Sequence, residues 1–279
     1  MKVSTKRPVL IAFLIDRSGS MGTRDPESGL RLSEIAAKSV NRAMYEIALQ
    51  ACIGGGDIRD RVHISAYGYG DKRSPDQVRW ALDGLPESRG WVGAQKWVSS
   101  YQEIESEIVG YDGPRAITME TPQWVAPKHD GRTMMANAFR RVGRIVASHM
   151  REHPESAPPI VVNITDGHPY RGNWKELQDA ACEIVGRFGG NGPPVLLNIH
   201  LDPSADALIL PADEPDEDGD KYACNMFRVS SPIPEWMVQN ARENGLEIEA
   251  GARGLVVNAS EELLHKFLSV GTGIARISS

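Results

Sequence analysis

The feature that most constrains the fold is an alternation of short, nearly continuous apolar segments with longer segments of helical periodicity. The apolar segments cover residues 8–15, 62–69, 159–165 and 195–201, and the helical ones cover about 30–52, 134–152 and 174–188. Parallel strands that are buried on both faces give such continuous apolar runs, and the helices between them cover the sheet. We therefore predict an α/β fold built on a mostly parallel sheet.

Shorter elements complete this pattern, and two stretches interrupt it. We predict an edge strand near 79–82, a short helix over 234–244, a last strand over 254–258 and a final helix over 261–270. We treat residues 1–279 as a single domain with an insertion at about 83–132 and an irregular acidic loop at about 203–233. The insertion is rich in tryptophan, which fits either a partner surface or a small core of its own.

Charge is distributed unevenly and excludes some partners. The chain has 31 Lys and Arg against 37 Asp and Glu, a net charge of −6, and residues 213–220 alone hold six acids. Because no long basic block is present, we do not expect nucleic acid as a partner. No segment approaches the ~18 apolar residues of a membrane helix, so we do not expect a membrane partner either.

The amino-terminal apolar run resembles a secretory signal only superficially. It ends in Asp16-Arg17 and lacks a small-residue cleavage site. The three cysteines are odd in number and have no metal-binding spacing. We therefore predict a cytoplasmic protein with reduced thiols.

Oxygen-bearing side chains follow the predicted strands. Asp16, Ser18 and Ser20 come after the first strand, Asp166 comes after the fourth, and Thr133 precedes a predicted helix. In open α/β sheets, ligands bind at the carboxyl edge of the strands. Two carboxylates and three hydroxyls, with no sulfur or imidazole, suit Mg²⁺, or Mn²⁺ or Ca²⁺, and argue against zinc.

These residues resemble a known motif. Asp16-x-Ser18-x-Ser20, a single Thr133 and Thr165-Asp166-Gly167 look like the metal-ion-dependent adhesion site (MIDAS) of von Willebrand factor A (vWA) domains. The resemblance extends from about residue 7 to 270. It implies a Rossmann-like three-layer sandwich, with a mostly parallel sheet of order 3-2-1-4-5-6 and an antiparallel edge strand.

The resemblance also implies how the ion is held. Ser18, Ser20 and either Thr133 or Asp166 would bind Mg²⁺ directly, and Asp16 would bind directly or through water. Thr133 and Asp166 would exchange these roles as the domain changes affinity. Because Mg²⁺ prefers six ligands, the site should accept an oxygen from outside, such as a partner's carboxylate.

The chain looks most like intracellular bacterial vWA proteins. This resemblance implies a non-enzymatic, Mg²⁺-dependent protein-binding module in a bacterial signalling, stress or defence assembly. Its partner would offer an Asp or Glu to the metal, and an AAA+ ATPase or a kinase or phosphatase is one such partner. Two alternatives stay open: a metal-dependent phosphoester hydrolase, for which no general base is evident, and a scaffold with an unused metal site.

Other polar residues have ordinary interpretations. Asp202 follows the fifth strand and is expected to cap a turn, and His168 is expected at the solvated rim of the site. His63 and His200 lie within strands and are expected to be packed. The acidic run at 213–220 is interpreted as a solvated loop, although one of its carboxylates could instead serve as an internal sixth ligand.

Overall fold

The computed structural model describes residues 3–112, 115–187, 191–204, 207–215, 221–243 and 247–259, together with 264, 267 and 268. The strands are β1 (Val9–Asp16), β2 (Ile53–Gly54), β3 (Asp57–Ile58), β4 (Val62–Tyr69), β5 (Val78–Trp80), β6 (Val92–Gly93), β7 (Glu103–Asp112), β8 (Arg115–Gln123), β9 (Ile160–Thr165), β10 (Val195–His200), β11 (Leu208–Ile209) and β12 (Leu255–Val257). The helices are α1 (Leu32–Ile47), α2 (Ala94–Trp97), α3 (Met135–Glu152), α4 (Trp174–Val185), α5 (Lys221–Val229) and α6 (Glu235–Glu243).

The main sheet has the strand order β11-β12-β10-β9-β1-β4-β5. Strand β1 pairs in parallel with β4 and β9, and the pairs β9–β10 and β10–β12 are also parallel. Counting only the six predicted strands, this order is 3-2-1-4-5-6, so the prediction is confirmed. The antiparallel edge strand is β5, and β11 adds a second antiparallel edge.

Helices cover both faces of this sheet and make it a three-layer sandwich. All eight residues of β1 are buried, and they alternate between two cores. Ile11 and Phe13 belong to the core that includes α1, whereas Leu10, Ala12 and Leu14 belong to the core that includes α3 and α4. The continuous apolar run of β1 therefore arises because both of its faces are covered.

The tryptophans of the 83–132 segment pack inside the protein. The rings of Trp97 and Trp124 meet edge to face at 5.6 Å, and both side chains are buried. The indole Nε1 of Trp124 donates to the carbonyl oxygen of Trp97 at 2.6 Å. Trp91 is buried as well, in the core beside α3. These three residues are core residues, and the expectation of a tryptophan-lined partner surface does not apply to them.

The prediction that residues 203–233 are irregular is wrong in part. This stretch contains β11 and the helix α5, which buries Tyr222, Met226 and Val229. These apolar residues recur three and four positions apart, but the helix is too short and follows too closely on the acidic run for this spacing to stand out. Residues 216–220 of that run, and nearly all of the predicted final helix 261–270, lie outside the described residues.

Within the ranges described above, none of the helices is both long enough and apolar enough to cross a membrane.

Candidate metal centre

Asp16 joins the carboxyl ends of two neighbouring strands. It is the last residue of β1 and is fully buried. Its Oδ1 accepts a hydrogen bond from the backbone N–H of Ser18 at 2.8 Å. Its Oδ2 accepts one from the hydroxyl of Thr165, the last residue of β9, at 2.7 Å. These bonds fix both the carboxyl group and the start of the loop that follows β1.

Two serine hydroxyls and a second carboxyl group lie next to Asp16. The Oγ atoms of Ser18 and Ser20 are 3.0 Å apart, and Ser20 Oγ donates to Asp166 Oδ1 at 3.0 Å. Neighbouring oxygens around an octahedral Mg²⁺ lie about 2.9 Å apart, because each is about 2.0–2.1 Å from the ion. The observed spacings therefore fit neighbouring ligands of one small cation.

Thr133 borders the same space from a third loop, immediately before α3. A Cβ atom placed on Gly167 would lie 3.4 Å from Thr133 Oγ1 and 3.8 Å from Ser20 Oγ. The glycine thus leaves open a small volume that hydroxyls from two loops reach. The structure therefore brings together all five predicted residues, four of them through a continuous chain of hydrogen bonds.

Close backbone contacts hold these loops in place. The N–H groups of Asp130 and Gly131 donate to the carbonyl of Arg17 at 2.9 and 3.0 Å, and Gly19 N–H donates to the carbonyl of Gly131 at 3.0 Å. A Cβ atom on Gly131 would overlap the carbonyl oxygen of Gly70. Only glycine allows this approach, so Gly131 helps to place Thr133 at the site.

Without a cation, it is electrostatically unfavourable for the carboxyl groups of Asp16 and Asp166 to be ionised so close together. Burial raises the pKa of Asp16 to about 7, and repulsion from Asp166 contributes, while the hydrogen bond from Thr165 opposes the shift. Burial also raises the pKa of Asp166, with a further contribution from Asp202. Within the described part of the chain, neither Asp16 nor Asp166 forms an ion pair. A divalent cation would supply the missing countercharge.

The neighbouring polar residues take the expected positions. Asp202 Oδ1 accepts from the backbone N–H and the hydroxyl of Ser204 at 2.9 and 2.6 Å, which confirms the turn cap. His168 is exposed, and its ring packs edge-on against Tyr222 at 4.8 Å. His63 and His200 are buried in their strands, as expected.

A cleft of about 260 Å³ opens beside Thr133, between the start of α3 and the segment that follows β9. Its lining includes Thr133, Tyr170 and Arg171. Arg132 lies alongside, and its Nη1 donates to the Tyr170 hydroxyl at 3.1 Å. Two arginines therefore flank the approach to Thr133. Neither arginine was predicted as a site residue from the sequence, because neither belongs to a spacing pattern.

The chain is similar to known proteins in its three-dimensional structure but not in its sequence. No protein-family model and no curated protein sequence matches the chain. A von Willebrand factor type A protein from Catenulispora acidiphila aligns with 95% of this chain, at 12% identity and a TM-score of 0.44. The pilus adhesin SpaC from Lactobacillus rhamnosus GG aligns with 96%, at 11% identity and a TM-score of 0.48. The PilB minor pilin from Streptococcus sanguinis aligns with 96%, at 9% identity and a TM-score of 0.47.

The chain spans less than two thirds of each of these proteins: 42% of the first, 30% of the adhesin and 61% of the pilin. At these identities and TM-scores the similarity carries no conclusion about function. The interpretation of the site therefore depends on its own geometry.

Proposed function

We propose that this chain is a non-enzymatic, Mg²⁺-dependent protein-binding module in which a partner's Asp or Glu completes the coordination of the metal. The observation that carries the proposal is the convergence of Asp16, Ser18, Ser20 and Asp166, with oxygen spacings of 3.0 Å. The carboxyl group of Asp16 is fully buried and that of Asp166 is half-buried, and neither forms an ion pair with any residue that the structure describes. Thr133 supplies a further hydroxyl. Mn²⁺ or Ca²⁺ could occupy the same oxygen ligands.

The surroundings favour an acidic partner. When only a few protein oxygens hold Mg²⁺, its remaining coordination positions are open to water or to an oxygen from a partner protein. A carboxylate that enters beside Thr133 would approach Arg171, which lines the cleft described above together with Glu176, and Arg132, which lies alongside the cleft. Two positive charges and one negative charge are therefore present at this entrance. Charge complementarity of this kind guides association and selects partners.

The setting of this interaction is part of the same proposal. We place the module in a cytoplasmic bacterial assembly concerned with signalling, stress or defence. An AAA+ ATPase or a kinase or phosphatase would be a partner of the proposed kind, provided that it presents an exposed Asp or Glu.

A pull-down with immobilised protein tests the proposal. We compare the wild type with Asp16→Ala and with Asp57→Ala, which removes an exposed carboxylate from β3. In Mg²⁺, the wild type and Asp57→Ala should both retain partner proteins, whereas Asp16→Ala should retain none. For the wild type and Asp57→Ala, the partners should be lost in EDTA and recovered when Mg²⁺ is restored. Retention that is unchanged in EDTA would contradict the proposal.

A phosphatase assay distinguishes the hydrolase alternative. Phosphoester hydrolysis at such a site would require a base near the metal, and His168 instead packs against aromatic rings. We expect no Mg²⁺-dependent release of phosphate from a generic phosphoester. Turnover that disappears in Asp16→Ala would favour the hydrolase over the binding module.

A further inference from the structure

Three histidines meet near the amino end of β4, on the face of the sheet that α3 covers. His63 is the second residue of β4, His149 lies in the last turn of α3, and His153 directly follows that helix. One ring nitrogen from each lies within 4.8 Å of the others. The Nδ1 of His63 and the Nε2 of His149 are 3.0 Å apart.

This histidine cluster is well separated from the oxygen-lined site. Tyr69, at the far end of β4, pairs with Asp16 of that site. His63 lies six residues earlier on the same strand, which corresponds to about 20 Å at ~3.3 Å per residue. The two sites therefore occupy opposite ends of the sheet and can be tested independently.

The buried rings have few polar partners. His149 is fully buried, and His63 is only 8% exposed. Within the described residues, the Nδ1 of His149 has no hydrogen-bond partner. The Nε2 of His149, which faces His63, is therefore the nitrogen of this ring that is directed into the cluster.

Ring packing holds the cluster in place. The centroids of His63 and His149 are 5.1 Å apart, those of His149 and His153 are 4.7 Å apart, and Trp91 meets His149 edge-on at 5.2 Å. His153 is only half-buried and lies just past the end of α3, and its ring also packs against His63 at 5.0 Å. Two rings of the cluster are therefore buried, and the third is accessible to solvent.

We propose that His63, His149 and His153 bind a divalent transition-metal ion of the Zn²⁺ class, with water as the fourth ligand. Zn–N bonds of about 2.0–2.1 Å place the ligand nitrogens of a tetrahedral site roughly 3.4 Å apart, close to the 3.0 Å between His63 and His149. His149 and His153 are four residues apart, which is the spacing of the two histidines in helical zinc motifs, although here the second histidine is the residue that follows the helix. Imidazole favours Zn²⁺, Cu²⁺ or Ni²⁺ over Mg²⁺.

The charges around the cluster agree with this arrangement. Burial lowers the pKa of His149 to about 2 and that of His63 to about 4, so both rings are uncharged at neutral pH, as metal ligands must be. Glu152, beside His153, forms an ion pair with Arg89 at 3.2 Å. A bound ion would tie the end of α3 to the start of β4 and stabilise the folded chain.

Metal titration of the chain without a polyhistidine tag tests the proposal. Excess Mg²⁺ is present throughout to occupy the oxygen-lined site. Zn²⁺ binding is measured by calorimetry, and Co²⁺ binding by the visible absorption bands of a tetrahedral site. The variants are His153→Gln, at the half-buried position, and His63→Gln, with His168→Gln as a control at an exposed histidine.

We expect one Zn²⁺ per chain and a higher Tm with Zn²⁺. The affinity should fall at least about tenfold in His153→Gln and should be unchanged in His168→Gln. If the wild type binds no Zn²⁺, or if His153→Gln binds it as tightly as the wild type, the proposal is overturned. Should His63→Gln fail to fold by circular dichroism, His153→Gln still decides the outcome.

Discussion

The two ends of the main sheet offer opposite kinds of metal chemistry. At the carboxyl edge, loops bring together the carboxyl and hydroxyl oxygens of Asp16, Ser18, Ser20 and Asp166. At the amino end of β4, a strand and a helix bring together three imidazoles. Hard oxygens select Mg²⁺, whereas imidazoles select Zn²⁺ and its neighbours. One fold can thus hold two metals apart by donor type as well as by distance.

The largest expected effect is at the oxygen-lined site. Asp166→Ala removes one of its two carboxylates, and Mg²⁺ is usually held in proteins by only one or two carboxylates. We expect Mg²⁺ affinity, measured by calorimetry, to fall at least roughly 100-fold. The matched control Asp57→Ala should bind Mg²⁺ normally. Zn²⁺ binding by Asp166→Ala should equal that of the wild type, and a loss of both metals would mean that the two sites are not separate.

The next effect is a pH dependence with opposite signs at the two ends. Burial raises the pKa of Asp16 from its ordinary value of 3.8 to about 7, so between these pH values the metal-free folded state keeps a proton that the unfolded chain has released. Its contribution to stability is complete below about pH 4 and is lost as the pH rises through 7. The histidines, whose pKa values are lowered, instead destabilise the fold as the pH falls below about 6.5.

Comparing the metal-free wild type with Asp16→Asn isolates the carboxyl group, because both proteins keep the histidines. From pH 4 to 8, the free energy of unfolding of the wild type should fall relative to Asp16→Asn by on the order of 4 kcal/mol. Urea unfolding measures this difference. Saturating Mg²⁺ should remove the fall in the wild type's free energy of unfolding. Parallel pH profiles of the two proteins without metal would show that burial does not raise the pKa of Asp16.

A smaller effect is expected at the backbone contact that positions Thr133. Gly131→Ala places a Cβ against the carbonyl oxygen of Gly70 and should cost ~1–3 kcal/mol of stability, with weaker Mg²⁺ binding. Gly54→Ala is the control, since nothing lies within 4 Å of the Cβ it would add. Unfolding curves and Mg²⁺ titrations of both variants check this. If Gly131→Ala behaves like Gly54→Ala, the close approach does not shape the site.

The smallest effect is expected from the acidic run. Neutralising its six acids, at 213–220, should leave the Mg²⁺ affinity unchanged. Of the run's described residues, Glu214 pairs with Arg228 at 2.6 Å, and such a partly exposed pair contributes at most ~1 kcal/mol. A fall in Mg²⁺ affinity would show instead that the run supplies a sixth ligand to the ion.

The fold could be predicted because its signals are local, and the same is true of the five residues that the structure brings together at the proposed metal site. Continuous apolar runs predicted β1, β9 and β10, and an alternating pattern predicted β4. The five oxygen-bearing residues were predicted because each follows a predicted strand or precedes a predicted helix. The family resemblance then supplied the strand order.

The remaining features depend on contacts between distant parts of the chain. Gly131 meets Gly70 only in the folded structure, and His63 meets His149 across 86 residues. The four-residue spacing of His149 and His153 was a visible signal, but nothing in the sequence placed a third histidine beside them. Helix α5 was missed because its short apolar pattern adjoins the acidic run.

The most direct test is a titration of the metal-free chain with Mg²⁺, comparing the wild type with Asp16→Ala. We predict one Mg²⁺ per wild-type chain, no measurable binding by Asp16→Ala, and equal Zn²⁺ binding by both. A wild type that binds no Mg²⁺, or an Asp16→Ala variant that binds it as tightly as the wild type, would contradict the assignment of this sheet edge as a magnesium site.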